Sequence, residues 1–193
     1  SSDLRTTWGS GIFRDRVPTR NAAVIDRLAD AGAVLMAKMS LGEFAGGNTS
    51  SALNPWKLDR TSFGSSSGTV SAAVAGLIGF GIGTETGGSI VFPGSSVGAS
   101  GLRPTFSRVS RFGCMPLSWS LDKIGPVGRS AEDCGHILEH INGFDDRDNS
   151  SVDRPFSFRP DPGRMRGRRL GAHRRERSEE HTSELQSQFR ISY

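Results

Sequence analysis

Residues 61–93, TSFGSSSGTVSAAVAGLIGFGIGTETGGSIVFP, constrain the fold more than any other stretch of the chain. Two Gly/Ser-rich turns, one carrying Ser65 and the other Ser89, flank a run of small apolar residues. Serines at the head of that run are cap-type residues. The small residues behind them suit a helix that packs closely on its neighbours. The pattern predicts such a helix over about residues 67–78 and a short strand over 80–84. A glycine turn, ETGGS, follows over 85–89, where backbone N–H groups can converge.

The rest of the chain alternates in the same way. Residues 1–20 are turn-rich. Asn21 is placed to cap a helix running to Asp30, with Ala23, Val24, Ile25, Leu28 and Ala29 as its apolar face and Gly32 as its stop. Residues 33–37 then read as a buried strand that delivers Lys38 at its end. Ser130 opens another helix, SAEDCGHILEHIN, pairing with Asp133 in a capping-box pattern, and Gly143 is its expected stop. Strands alternating with helices predict an α/β layered fold, a mixed sheet flanked by helices. No internal repeat is evident.

Composition divides the chain. Over its 193 residues the apolar fraction is 35% and glycine is abundant, at 25 residues. Residues 22–144 alternate apolar runs with turns, but from about Asp145 onward the chain is polar and Arg-rich. The formal charge of +4 is shared equally between residues 1–144 and that end. The basic run carries no recognisable nucleic-acid module, so a solvated linker or tail is expected. RSEEHTSELQS, residues 177–187, resembles the conceptual translation of a sequencing-library adapter. Residues 177–193 are therefore expected to pack against nothing. The division is a domain over 1–172 and a non-native-looking tail over 173–193. Starting at Ser1 without a Met, the chain reads as cut from a longer one. Cys114 and Cys134 form neither a disulfide framework nor a metal spacing, and buried reduced thiols are expected. No segment approaches a membrane span and no signal peptide is present, so the expected compartment is the cytoplasm.

Chemistry enters through Lys38, Ser65 and Ser89. A serine hydroxyl attacks poorly until a base takes its proton. Lysine can be that base when neutral, and burial favours the neutral form. Two serines and a lysine without a nearby histidine suggest amide hydrolysis. His136 and His140 lie four apart in the helix opened by Ser130, without a third ligand. A Ser-His-Asp triad would need one of them beside Ser89. GFGIGTETGG does not match GxGxxG, since Thr86 takes the third position, and no phosphate-binding lysine follows. No cofactor or metal is expected.

GSSSGTVSAAVAGLIGFGIGTETGGSI resembles the signature of the amidase signature family, with the Ser65-to-Ser89 spacing matched without a gap. AGAVLMAKMSLGEFA resembles the family's lysine segment. GLRPTFSRVSRFGCMPLSWSLDKIGPVGRSAEDC resembles its downstream block, and RMRGRRLGA a later segment. The resemblance covers about residues 5–172. It implies Ser89 as the acyl-forming nucleophile, Ser65 as a bridging serine reached through a cis peptide from Gly64, and Lys38 as the terminal base. It also implies an oxyanion hole of backbone N–H groups from Thr86, Gly87, Gly88 and Ser89. The chain departs from the pattern at Phe63 and Ser67, where glycines are usual, and at Thr69, where serine is common. Glu85 stands for a common aspartate and Val91 for an arginine. Phe92 occupies a position where transamidating subunits often carry glutamine.

The implied function is an amidase that cleaves a C–N bond through an acyl-serine intermediate. The alternatives are the A subunit of a glutamine-dependent aspartyl/glutamyl-tRNA amidotransferase and an inactive truncated fragment. The expected partner is a small-molecule amide. Nucleic acid enters only with a tRNA amidotransferase complex, no membrane contact is expected, and a homodimer is compatible with the chain.

Overall fold

A computed structural model describes residues 4–46, 52–161 and 163. The chain divides into two units, Ser1–Phe158 and Arg159–Tyr193. In the second unit only 159–161 and 163 are described. There the Gly163 N–H donates to Asp161 Oδ1 at 3.0 Å. The expectation for 177–193 lies outside the described residues.

The first unit is built on a three-stranded sheet. Strand β3 (Gly81–Glu85), strand β5 (Lys123–Gly128) and strand β4 (Ser100–Gly101) lie in the order β3-β5-β4. Both neighbours of β5 run antiparallel to it, with Gly83 opposite Gly125 and Gly101 opposite Val127. Successive side chains of a strand point to opposite faces, and β5 serves a core on each side. Ile124 joins Val24, Val109, Ile137, Leu138 and Ile141, under helices α1 (Ala23–Asp30) and α4 (Ala131–Ile141). Val127 joins Val70, Ala73, Ile90 and Val97, under helices α2 (Ser67–Val74) and α3 (Val91–Val97). The result is the expected α/β arrangement of helices on a sheet. A separate hairpin, β1 (Leu53–Asn54) with β2 (Lys57–Thr61), is tied to α2. The Ser71 hydroxyl donates to Leu53 O at 2.9 Å and lies 2.6 Å from the Ser62 hydroxyl.

Helix ends follow local chemistry. Ser130 accepts the Asp133 N–H at 3.0 Å and Asp133 accepts the Ser130 N–H at 2.9 Å, a complete capping box. Gly32, at φ +84°, ends α1 as expected. Its N–H goes to Ala29 O, and the next N–H, from Ala33, goes to Leu28 O. This is the hydrogen-bond pattern of a Schellman stop.

Several expectations are corrected. Asn21 does not cap α1. The cap position is Ala22, and the Asn21 amide instead donates to Asp26 Oδ1 at 2.9 Å. Helix α2 stops at Val74 rather than at 78, because Gly76 enters the left-handed region at φ +73° and repeats the Schellman pattern with Leu77. Residues 33–37 form no strand; Val34 and Met36 are 79% and 72% exposed. A strand exists only where a neighbour takes its backbone hydrogen bonds, and no described strand lies beside this one. Helix α3 is unexpected, since VFPGSSV has low helix propensity. Pro93 is tolerated because it sits in the first turn, where its missing N–H costs nothing.

A polar knot holds residues 105–112 against 145–151. Asp145, 7% exposed, accepts from Arg147 Nε at 2.8 Å and from the Ser110 hydroxyl at 2.6 Å. The Arg147 guanidinium, with help from Ser110, holds the Asp145 carboxyl well below the usual carboxylate range. A carboxylate depressed in the folded state stabilises the fold above its unfolded value, about 3.9, and that contribution is lost as pH falls through the lower folded value. Asp145→Asn is therefore expected to lower stability at neutral pH and to flatten the loss below about pH 4. Urea denaturation between about pH 2 and 7 checks this; parallel wild-type and variant profiles would contradict it.

Candidate active site

The Ser65 and Ser89 turns meet through the backbone. The Ser66 N–H donates to Ser89 O at 3.1 Å. Ser66 also ties the start of α2 to β3, its hydroxyl donating to Thr84 O at 3.1 Å and accepting the Thr84 N–H at 3.2 Å. The segment after Lys38 crosses the same place. The Gly42 N–H donates to Ser65 O and the Gly68 N–H to Ser40 O, each at 3.2 Å. Gly68 permits that crossing, since a Cβ there would lie 2.2 Å from Ser40 O.

Ser65 is 1% exposed, and its hydroxyl has no hydrogen-bond partner among the described residues. A buried polar atom without a partner is costly. Gly64 reaches Ser65 at φ +124°, and no peptide bond among the described residues is cis. The expected cis bond is thus absent; the glycine's left-handed conformation makes the turn with trans bonds. Lys38 is exposed rather than buried. Its Nζ donates to Leu4 O at 3.0 Å and also to Thr6 Oγ1. Partial desolvation, helped by the nearby Arg16 charge, lowers its pKa from the ordinary 10.5. Lys38 and Ser65 line one cavity of about 1600 Å³. No hydrogen bond joins Lys38 Nζ, Ser65 Oγ and Ser89 Oγ among the described residues, so the expected contact chain is not closed here.

The ETGGS turn is held from three sides. Ile90 is fully buried, and its side chain rests on glycines of all three strands. A Cβ on Gly83, Gly101 or Gly125 would stand 2.9, 2.7 or 3.2 Å from an Ile90 carbon. Glu85, also fully buried, accepts the Ile90 and Val91 N–H groups on Oε2 at 2.8 and 2.9 Å. Its other oxygen lies 3.5 Å from Arg103. Asp122, just before β5, and Lys123, its first residue, fix Thr86. The Thr86 hydroxyl donates to Asp122 Oδ1 at 2.6 Å, and Lys123 Nζ donates to Thr86 O at 3.0 Å. Between these anchors the N–H groups of Gly87, Gly88 and Ser89 donate to no described acceptor. Gly88 takes φ +117°. Such a turn can direct backbone donors at a developing oxyanion.

Other candidates fall away. Burial pushes the Cys114 thiol up to about 12 and Cys134 to about 11, so neither supplies a thiolate near neutral pH. His136 and His140 are on α4, on the sheet face opposite α2 and α3, and His136 packs edge-on against Phe158. No group of three or more potential metal ligands occurs among the described residues. Glu85, Ser66, Asp122 and Lys123 are positioning residues that sequence reasoning missed. The available signal was Glu85 itself, the lone charge between residues 61 and 102.

Glu85→Ala is expected to strand the Ile90 and Val91 N–H groups and to cost about 1–3 kcal/mol of stability. Glu85→Gln, which keeps an acceptor, should cost less. Thermal and urea unfolding of both variants measure this; an Ala variant as stable as wild type would show that Glu85 does not hold the turn.

The family model described as Amidase matches residues 1–191. The A subunit of glutamyl-tRNA(Gln) amidotransferase from Marinomonas sp. (strain MWYL1) is 44% identical over 156 residues, which are 78% of this chain and 32% of that protein. The chain spans about a third of the length of such curated relatives. Among solved structures, the A subunit of glutamyl-tRNA(Gln) amidotransferase from Thermotoga maritima superposes with a TM-score of 0.75 at 35% identity, covering 78% of this chain and 35% of that one. The native peptide amidase from Stenotrophomonas maltophilia superposes with a TM-score of 0.74 at 35% identity, covering 80% and 34%. The signature turns, the layered fold and the family match agree: the chain belongs to the amidase family.

Proposed function

We propose that this chain carries the catalytic core of an amidase that cleaves a C–N amide bond through an acyl-serine intermediate. The observation that carries the reading is the pairing of the Ser65 and Ser89 turns. It sets a buried Ser65 hydroxyl, without a partner among the described residues, beside a turn whose N–H groups donate to no described acceptor. Ser89 Oγ attacks the carbonyl carbon, and its proton passes through Ser65 to neutral Lys38. Backbone N–H groups of Thr86, Gly87, Gly88 and Ser89 hold the oxyanion. The C–N bond breaks as the amine leaves with a proton. Water then attacks the ester by the same route, releasing the acid. The relay requires Lys38 Nζ to exchange Leu4 O and Thr6 Oγ1 for Ser65 Oγ. Its lowered pKa favours the neutral base, so the rate rises with pH toward that pKa.

The partner is a small-molecule amide and the compartment the cytoplasm. No helix of the described residues is long and apolar enough to cross a membrane. The catalytic domain is taken as residues 1–172, with 173–193 outside it. A second reading rests on the curated relatives, which are amidotransferase A subunits at 40–45% identity. In that case glutamine is the amide, and its ammonia passes to a charged tRNA within a complex. Turnover of simple amides without other protein chains favours the first reading; turnover of glutamine alone favours the second.

The test is kcat/KM on a simple amide for five variants, read as barrier changes. Ser89→Ala should lose about four orders of magnitude or more. Lys38→Ala should lose nearly as much. Ser65→Ala should lose less, since a water can bridge Lys38 to Ser89. His136→Ala and His140→Ala should stay near wild type. A dead histidine variant beside an active Lys38→Ala would replace the serine–lysine reading with a histidine-based one.

A further inference from the structure

Phe63 and Phe92 are large apolar residues that the core leaves in solvent, 55% and 52% exposed. They belong to different turns. Phe63 stands two positions before Ser65, and Phe92 three after Ser89. Their rings nevertheless meet, with centroids 6.3 Å apart and planes tilted by 52°. The backbone is shaped to bring them together. A Cβ on Gly88 would lie 2.2 Å from the Phe92 ring, so that ring rests directly on the turn that precedes Ser89. A Cβ on Gly64 would lie 2.5 Å from Pro93 Cδ, so the Phe63 turn closes on the neighbour of Phe92. Val91, 40% exposed, adjoins the pair in sequence. The adjoining sequence carries no exposed charge: from residue 61 to 102 the single charged side chain is Glu85, which is fully buried.

Apolar surface left in water is unfavourable, and a contiguous exposed apolar patch marks a ligand or partner contact. Here the patch lies against the turn whose N–H groups donate to no described acceptor. An amide with its carbonyl oxygen on that turn brings its substituents to the rings. The acyl group stays attached to Ser89 through both halves of the reaction, and Ser89 lies one helical turn from Phe92. We propose that Phe63 and Phe92 form an apolar subsite that selects amides with an aromatic or alkyl acyl group and no charge. This rests on the amidase reading above. An apolar contact of this size discriminates by about tenfold.

The experiment has two readouts. Ring signals of 13C-labelled phenylalanine are followed by NMR while the 193-residue chain is titrated with phenylacetamide or with acetamide. In parallel, kcat/KM is measured for both amides. The Phe63 and Phe92 signals are expected to shift with phenylacetamide and not with acetamide. Phenylacetamide should be preferred about tenfold, and the preference should vanish in the Phe63→Gly/Phe92→Gln double variant. Absence of any ring shift overturns the subsite, whether or not either amide is hydrolysed. Ring shifts without turnover of either amide support the subsite and count against the amidase reading. A preference that survives in the double variant overturns the assignment to these two rings.

Discussion

The seat of Ile90 is the contact on which the rest of the site depends. One fully buried side chain rests on glycines from β3, β4 and β5 together. Burying an isoleucine contributes about 1.5–3 kcal/mol, and here that contribution has a direction. It draws the residue after Ser89 onto the sheet, and the serine follows. A side chain at Gly83, Gly101 or Gly125 would lift Ile90 off the strands. Glycine is unfavourable inside strands; these three are kept for the close approach they permit.

Polar groups then finish what packing begins. Buried Glu85 accepts two N–H groups at the start of α3, and Asp122 and Lys123 grip Thr86 by its hydroxyl and its carbonyl. The turn between them is fixed at both ends, and its N–H groups, which donate to no described acceptor, are held in place. Preorganised donors do not have to reorient during reaction, which is where their catalytic value lies. The Ser89 turn is therefore firmly held in this structure. The Lys38 segment is looser. Lys38 sits at the end of an exposed segment, held by Leu4 and Thr6 on the rim of the cavity that Ser65 also lines.

Much is legible in the chain. The helix ends at Ser130 and Gly32 are local chemistry, set by a side chain or a glycine within a few residues, and they form where the sequence predicts them. The two serine turns are legible because Gly and Ser at fixed spacing leave few backbone choices. Elements that depend on distant partners are not. Helix α3 forms in a poor helix sequence because Ile90 and Val97 are buried in the core and Glu85 caps its start. Residues 33–37 have the composition of a strand, but no described strand lies beside them to complete a ladder.

The sequence by itself determined the family, the two turns and the residue types available for chemistry, because these reside in short segments whose backbone options are narrow. Only the tertiary structure decided how those segments meet. It brought the Ser65 and Ser89 turns together through one backbone hydrogen bond. It made the Gly64 turn with trans bonds, left Lys38 on other acceptors, and set Phe63 against Phe92. Most of these join residues from separate turns or segments, and contacts between such segments are set by packing across the sheet rather than by any local preference.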